Sequence, residues 1–178
     1  LYYAPYAWVA DQKGYMANDW RHADQWPPLG AVQQRLYLTG DGRLSADGPG
    51  GGERSYLYDP NRPVPTLGGR NMLIASGPYD QRPVQVLPNY GLSYQSEVLT
   101  EDMTIAGAVS VTLHVQSNCR DTDFIAKLIE LQPDGCALML MDGVVRAMYR
   151  SATPEPEHLE PDQIYQVQIH LADIHYTF

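Results

Sequence analysis

Asp121 and Asp123, in the run Asp-Thr-Asp-Phe, are the two carboxylates of this chain best spaced to meet a cation together. Calcium takes about six to eight oxygens, and two carboxylates supply too few, so capping of a turn is the favoured role. Cys119 and Cys136 are too few for a disulfide framework or a zinc cluster. They read either as two unlinked, partly buried thiols, the favoured case, or as one bridge, and neither has a neighbouring base to activate it. Cys136 follows Pro133-Asp134-Gly135 and opens a β-like run, where a small buried hydrophobe is expected. His114 and His170 fall on outward strand faces, and His158 and His175 on loops or edges, none in a ligand pattern. The 13 tyrosines and 3 tryptophans could stack on a sugar or fill half-buried sheet positions. No Gly-x-Ser-x-Gly elbow, phosphate-binding glycine loop, His-Glu-x-x-His, Cys-x-x-Cys or EF-hand loop occurs. No catalytic residue, metal ligand or cofactor is therefore expected in this chain.

The elements that must position these groups are strands. Residues 109–116 alternate strictly, with Val109, Val111, Leu113 and Val115 on one face and Ser110, Thr112, His114 and Gln116 on the other. The same period places Tyr165, Val167, Ile169 and Leu171 inward and Gln166, Gln168 and His170 outward. Between them, residues 124–131, the turn at 133–135, residues 136–141, a second turn at Asp142-Gly143 and residues 144–149 predict a three-stranded meander, because Asp-Gly supplies the positive φ of tight hairpins. Short strands are expected at 34–38 and 55–58, with the glycine run 48–52 as a hairpin tip between them. Residues 59–88, rich in proline, are expected to wrap over a sheet without joining its ladder, since each proline lacks a donor. No long stretch has a 3.6 period, so the domain reads as nearly all β, a sandwich or jelly roll.

Composition sets the outer bounds. The chain has 178 residues, 44% hydrophobic and 19% charged, which fits one ordinary folded domain. A net charge of -9 argues against nucleic acid, whose phosphates such a surface repels. Apolar runs such as 136–141 are far shorter than the roughly 20 residues of a spanning helix, so no membrane segment is expected. The N-terminal residues lack a basic region followed by an apolar one, so they do not read as a signal peptide, and the compartment stays open.

Several segments carry a resemblance. Asp59-Pro60-Asn61-Arg62-Pro63-Val64-Pro65-Thr66-Leu67-Gly68-Gly69, then Gly77-Pro78-Tyr79-Asp80-Gln81-Arg82-Pro83, are similar in order and spacing to motifs of the cocaine esterase and X-Pro dipeptidyl-peptidase family. So are Leu99-Thr100-Glu101-Asp102, Asp121-Thr122-Asp123-Phe124, Pro133-Asp134-Gly135, Asp142-Gly143-Val144-Val145-Arg146 and Leu159-Glu160-Pro161. Tyr15-Met16-Ala17-Asn18-Asp19-Trp20 resembles the segment leading into that family's C-terminal domain, with Ala17 where glycine is usual.

The resemblance implies an all-β jelly-roll β-sandwich of galactose-binding-like shape. Residues 1–30 would be a lead-in segment from a preceding hydrolase domain, and 31–178 the jelly roll, with its last strands missing. It also implies a serine hydrolase as parent, acting on ester or amide (acyl or X-Pro dipeptidyl) bonds. Its α/β-hydrolase domain would be this chain's partner, and its substrate a small acyl ester or amide. The catalytic groups would lie in that partner, while Met72 and Leu73, with Asn71 and Ile74 beside them, would reach the acyl pocket. The plainer expectation for those four is ordinary packing beneath their loop. The competing classes are a stand-alone carbohydrate-binding sandwich and a structural module for homo-oligomer contacts.

Overall fold

The computed structural model describes the backbone of Tyr2–Tyr3 (β1), Tyr6–Val9 (β2) and Gly14–Ala17 (β3), and residues 21–178 except Asn89 and Ala152. The further elements are β4 (Arg21–His22), β5 (Tyr37–Leu38), β6 (Leu44–Ser45), the one-turn helix α1 (Arg82–Gln85), β7 (Thr104–Val115), β8 (Asp123–Leu131), β9 (Ala137–Arg146), a 3-10 turn at Ala147–Tyr149 and β10 (Tyr165–Thr177). Strands dominate, as the period-two patterns require. β7 and β10 alternate as expected: Val109, Val111, Leu113 and Val115 are half-buried between exposed neighbours, and Val167, Ile169 and Leu171 are buried between exposed Gln166, Gln168 and His170. The alternation of β10 breaks at Ala172, which has φ 128°, and the next deeply buried side chain is Tyr176. One residue in the left-handed half of φ space is the signature of a bulge, which exchanges the two faces of a strand.

Two units divide the chain. One comprises Leu1–Pro65, Pro83–Gly107 and His175–Phe178. In it β2 pairs antiparallel with β3 and meets β10 in parallel at Tyr6 and Tyr176. β5 and β6 form a short hairpin, to which Gln95 is tied by accepting from the Leu44 N–H at 2.8 Å and donating to the Gly42 carbonyl at 3.0 Å. The glycine run is no hairpin tip. It lies back on the β5–β6 turn, where a Cβ on Gly40 would stand 2.7 Å from the Gly51 carbonyl and one on Gly50 would stand 2.8 Å from Thr39. Residues 55–58 form no strand, and only Tyr37–Leu38 of the expected 34–38 strand is paired. With Tyr56, Leu57 and Tyr58 all exposed, apolar content there reflects no buried face.

The second unit comprises Thr66–Arg82 and Ala108–Ile174 and contains the deeper core: Ala137, Leu138, Met139, Met141, Ala147, Leu159, Val167, Ile169 and Leu171. β8 and β9 pair antiparallel from Asp123 opposite Arg146 to Leu131 opposite Ala137, closed by the turn at 133–135. The second turn of the expected meander does not exist, because β9 runs straight through Asp142-Gly143. Gly143 is required for contact rather than for turning: a Cβ on it would collide with the His170 carbonyl. The expectation that residues 59–88 stay out of the ladder fails at residues 79–81. Gln81 donates to Ala137 O at 2.7 Å and Met139 donates to Tyr79 O at 3.1 Å, so residues 79–81 line β9 between Pro78 and Pro83. The prolines bound this short segment, and the donors within it remain free to pair.

Candidate functional site

Residues 66–82 form a loop whose returning arm runs along β9 at 79–81, and both of its arms are held in place. At its stems Gly69 and Gly77 bond each other's carbonyls, at 2.8 and 3.0 Å. Gly68 has φ 70°, and a Cβ there would sit 2.5 Å from the Gly77 carbonyl and 2.7 Å from the Tyr79 ring, so only glycine closes the stem. Gly69, at φ 82°, approaches the Asp142 carboxylate and Met139 from above. Arg70 donates from Nη2 to the Leu171 carbonyl at 3.0 Å, which docks the outgoing arm on β10. Asn71 braces the tip from inside: its Nδ2 donates to Gly68 O at 2.8 Å, and its Oδ1 accepts from the Ile74 N–H at 2.9 Å.

The returning arm is held by Asp80. Its Oδ1 accepts from the N–H groups of Arg82 and Ala137, both at 3.1 Å, and its Oδ2 accepts from Arg82 Nε at 2.6 Å. The Arg82 guanidinium, followed by those N–H groups, holds the Asp80 carboxyl below its ordinary pKa of 3.8. Beside it Cys136 is half-buried, and burial, reinforced by Asp80 and Asp134, pushes its thiol up and away from the thiolate. Underneath, Gln81 is fully buried and accepts from Lys127 Nζ at 2.9 Å. Burial lowers the Lys127 pKa, opposed by Asp142, its cross-strand partner.

Four residues singled out from the sequence are thereby brought onto one loop, though in different roles. Asn71 is half-buried and structural, Ile74 is 45% exposed, and Met72 and Leu73 are each 98% exposed. Packing beneath the loop does not describe Met72 and Leu73, which touch almost none of this chain.

Alongside runs an open cavity of about 490 Å3, lined by Arg70, Asn71, Met72 and Ser76 of the loop and by Leu140 and Met141 of β9. Successive residues of a regular strand face opposite ways, yet Leu140 and Met141 both line it. The ladder slips between Leu128 and Ile129, which face Met141 and Met139 and leave Leu140 as the extra residue of a bulge. The lining is apolar apart from Arg70, Asn71 and Ser76, so it can bind apolar groups and offer hydrogen bonds. Arg70, Ser76 and Leu140 were not foreseen. Arg70 directly follows the double glycine, which is the one signal that could have marked it.

The two carboxylates of the Asp-Thr-Asp run are structural. Arg146 Nε donates to Asp121 Oδ2 at 2.6 Å and Nη1 donates to Asp123 at 3.2 Å, and Asp121 Oδ1 accepts from the Met148 N–H at 3.0 Å. The pair thus fastens the open end of β8–β9 and caps the 3-10 turn. Cys119 is exposed and unbridged, His114, His158 and His170 are exposed, and His175 stands edge-on to Trp26.

Comparison with known proteins places this geometry in context. The model of the X-Pro dipeptidyl-peptidase C-terminal non-catalytic domain matches residues 5–178. A cocaine esterase of Rhodococcus sp. (strain MB1 Bresler) is 40% identical over 164 residues, covering 85% of this chain and 28% of that protein. An aminopeptidase from a marine sediment archaeon, Thaumarchaeota archaeon, superposes with TM-score 0.78 at 27% identity over 91% of this chain and 30% of the other. An alpha-amino acid ester hydrolase superposes with TM-score 0.75 at 28% identity, over 90% and 30%. The chain therefore spans less than a third of each relative's length, and its fold is the all-β sandwich expected from the strand pattern.

Proposed function

Because the chain belongs to the X-Pro dipeptidyl-peptidase C-terminal non-catalytic domain family, we propose that it works on behalf of an α/β-hydrolase domain of the same protein, packing on it and helping to shape its acyl pocket. Residues 1–30 lead in from that domain while lending β2 and β3 to the sheet of β10, and 31–178 form the rest of the jelly roll. The parent cleaves an ester or amide by serine acyl transfer, with nucleophile, base and oxyanion donors in the hydrolase domain. This chain supplies an apolar wall and excludes water.

One observation carries the reading: Met72 and Leu73 stand 98% exposed at the tip of a loop whose stems bond each other at Gly69 and Gly77 and whose interior is braced by Asn71. A loop ordered by that many bonds to display apolar side chains to water is set to bury them elsewhere, and burial stabilises each by roughly 1.5–3 kcal/mol. A wall of Met and Leu suits an apolar acyl group, and flexible Met adapts to its shape.

The test is a series of esters with acyl groups of rising size, turned over by the full-length protein and by its Met72→Ala, Leu73→Ala double variant. Loss of the wall lowers kcat/KM for the largest apolar acyl groups by about 10- to 100-fold relative to acetate. Equal kinetics across the series would refute the pocket role.

A further inference from the structure

Gln81 has no exposed surface, and a buried side-chain amide is costly unless its polar atoms all find partners. Those partners lie on three separate segments. Nε2 donates to the Leu67 carbonyl at 2.9 Å and to the Tyr79 carbonyl at 3.1 Å, while Oε1 accepts from Lys127 Nζ at 2.9 Å. A lysine ammonium only donates and a carbonyl only accepts, so the partners permit one orientation of the amide. Leu67 is the last residue before Gly68, where the loop departs, and Tyr79 follows Pro78, where it returns. A single side chain thus bridges both stems of the loop that carries Met72 and Leu73. The Gln81 main-chain N–H, 2.7 Å from the Ala137 carbonyl, ties the bridge to β9. Lys127 reaches it from β8, so the clasp is anchored on both strands of the hairpin below.

We infer that Gln81, oriented by Lys127, is a positioning residue that sets where the loop at 68–78 stands and hence where Met72 and Leu73 are presented. Its consequence for substrate preference rests on the acyl-pocket reading above; the clasp itself does not.

Hydrogen exchange in the full-length protein separates the two. The Gly69 and Gly77 amides, bonded across the stems, report the clasp without reference to any substrate. Gln81→Leu removes every side-chain bond at nearly constant volume. Gln81→Glu keeps an acceptor for Lys127 but turns an oxygen toward the two carbonyls. Both are expected to speed exchange at Gly69 and Gly77 by about tenfold or more while the β8–β9 ladder amides keep their protection. Lys127→Met, which leaves the two donated bonds in place, is expected to give a smaller acceleration at the same two amides. With the acyl reading intact, both Gln81 variants also raise KM for bulky apolar acyl esters and leave kcat on acetate esters unchanged.

Unchanged exchange at Gly69 and Gly77, or an acceleration shared equally by the β8–β9 amides, overturns the clasp. If Gln81→Leu does not fold, Gln81→Glu and Lys127→Met decide by the same criterion. A loop that loosens while the ester profile stays flat in these variants and in the Met72→Ala, Leu73→Ala protein supports the clasp and overturns the acyl reading.

Discussion

The β8–β9 hairpin and the strap at 66–82 lie in the same unit and share β9, yet they are held by different means. In the hairpin, partners run from Asp123–Arg146 to Leu131–Ala137 with one slip at the Leu140 bulge, and the bonds belong to the main chain. Side chains there can change while the ladder persists, and the exposed cross-strand pair Ile125 and Val144 shows how little some of them touch. The strap has only three residues against β9. Elsewhere its course depends on single side chains: Arg70 on Leu171, Asn71 across the tip, Asp80 on Ala137 and Gln81 across the stems. Redundant main-chain bonding makes a platform, whereas side-chain bonding makes a loop whose position one substitution can alter.

The largest effects should come where the platform is packed tightest. Gly143→Val would drive a side chain into the His170 carbonyl, and Met139→Ala would empty a fully buried site. Each should cost about 3 kcal/mol in urea unfolding, and an unchanged midpoint for either would mean that β9 is not the core strand described. An intermediate loss, about 1 kcal/mol, is expected for Asp80→Asn, which keeps an acceptor but gives up the charge facing Arg82. Because the folded-state pKa of Asp80 lies below 3.8, its contribution is present above that value and disappears as pH falls through the lowered one. The stability gap between the parent and Asp80→Asn should therefore close in acid; a gap independent of pH would remove the ionic account.

Asn71→Ala should cost about 1 kcal/mol or slightly less, with the loss concentrated in loop exchange rates. A shift of the whole unfolding curve with no local signal would erase the distinction between strap and platform. The smallest expected change, in this chain taken without its proposed hydrolase domain, belongs to Met72→Ala and Leu73→Ala, within about 0.5 kcal/mol, since neither side chain packs on this chain. A loss of 2 kcal/mol or more would show that the tip is not free.

Much of the platform was legible in the residues. Alternation over 109–116 and 165–171 predicted which side chains turn inward, since a strand reverses sides at every residue. The turn at 133–135 announced the β8–β9 connection, and the motif around Gly68-Gly69 marked the loop. Asp142-Gly143 misled because a glycine needed for a turn and a glycine needed for a close approach are spelled alike. The carbonyl that explains Gly143 belongs to His170, 27 residues further on. The same holds for the glycine run 48–52, which serves contact with the β5–β6 turn.

Strand character and the all-β class were therefore determined by the sequence alone, because they follow from local periodicity, whereas the loop carrying Met72 and Leu73 was marked by the resemblance of its double-glycine motif to a known family. Tertiary structure decided that β9 passes through Asp142-Gly143, that Gln81 joins two stems and a lysine, and that Met72 and Leu73 face outward. Each of those depends on a group distant in sequence occupying, or leaving empty, the space beside a side chain, and no local pattern encodes that.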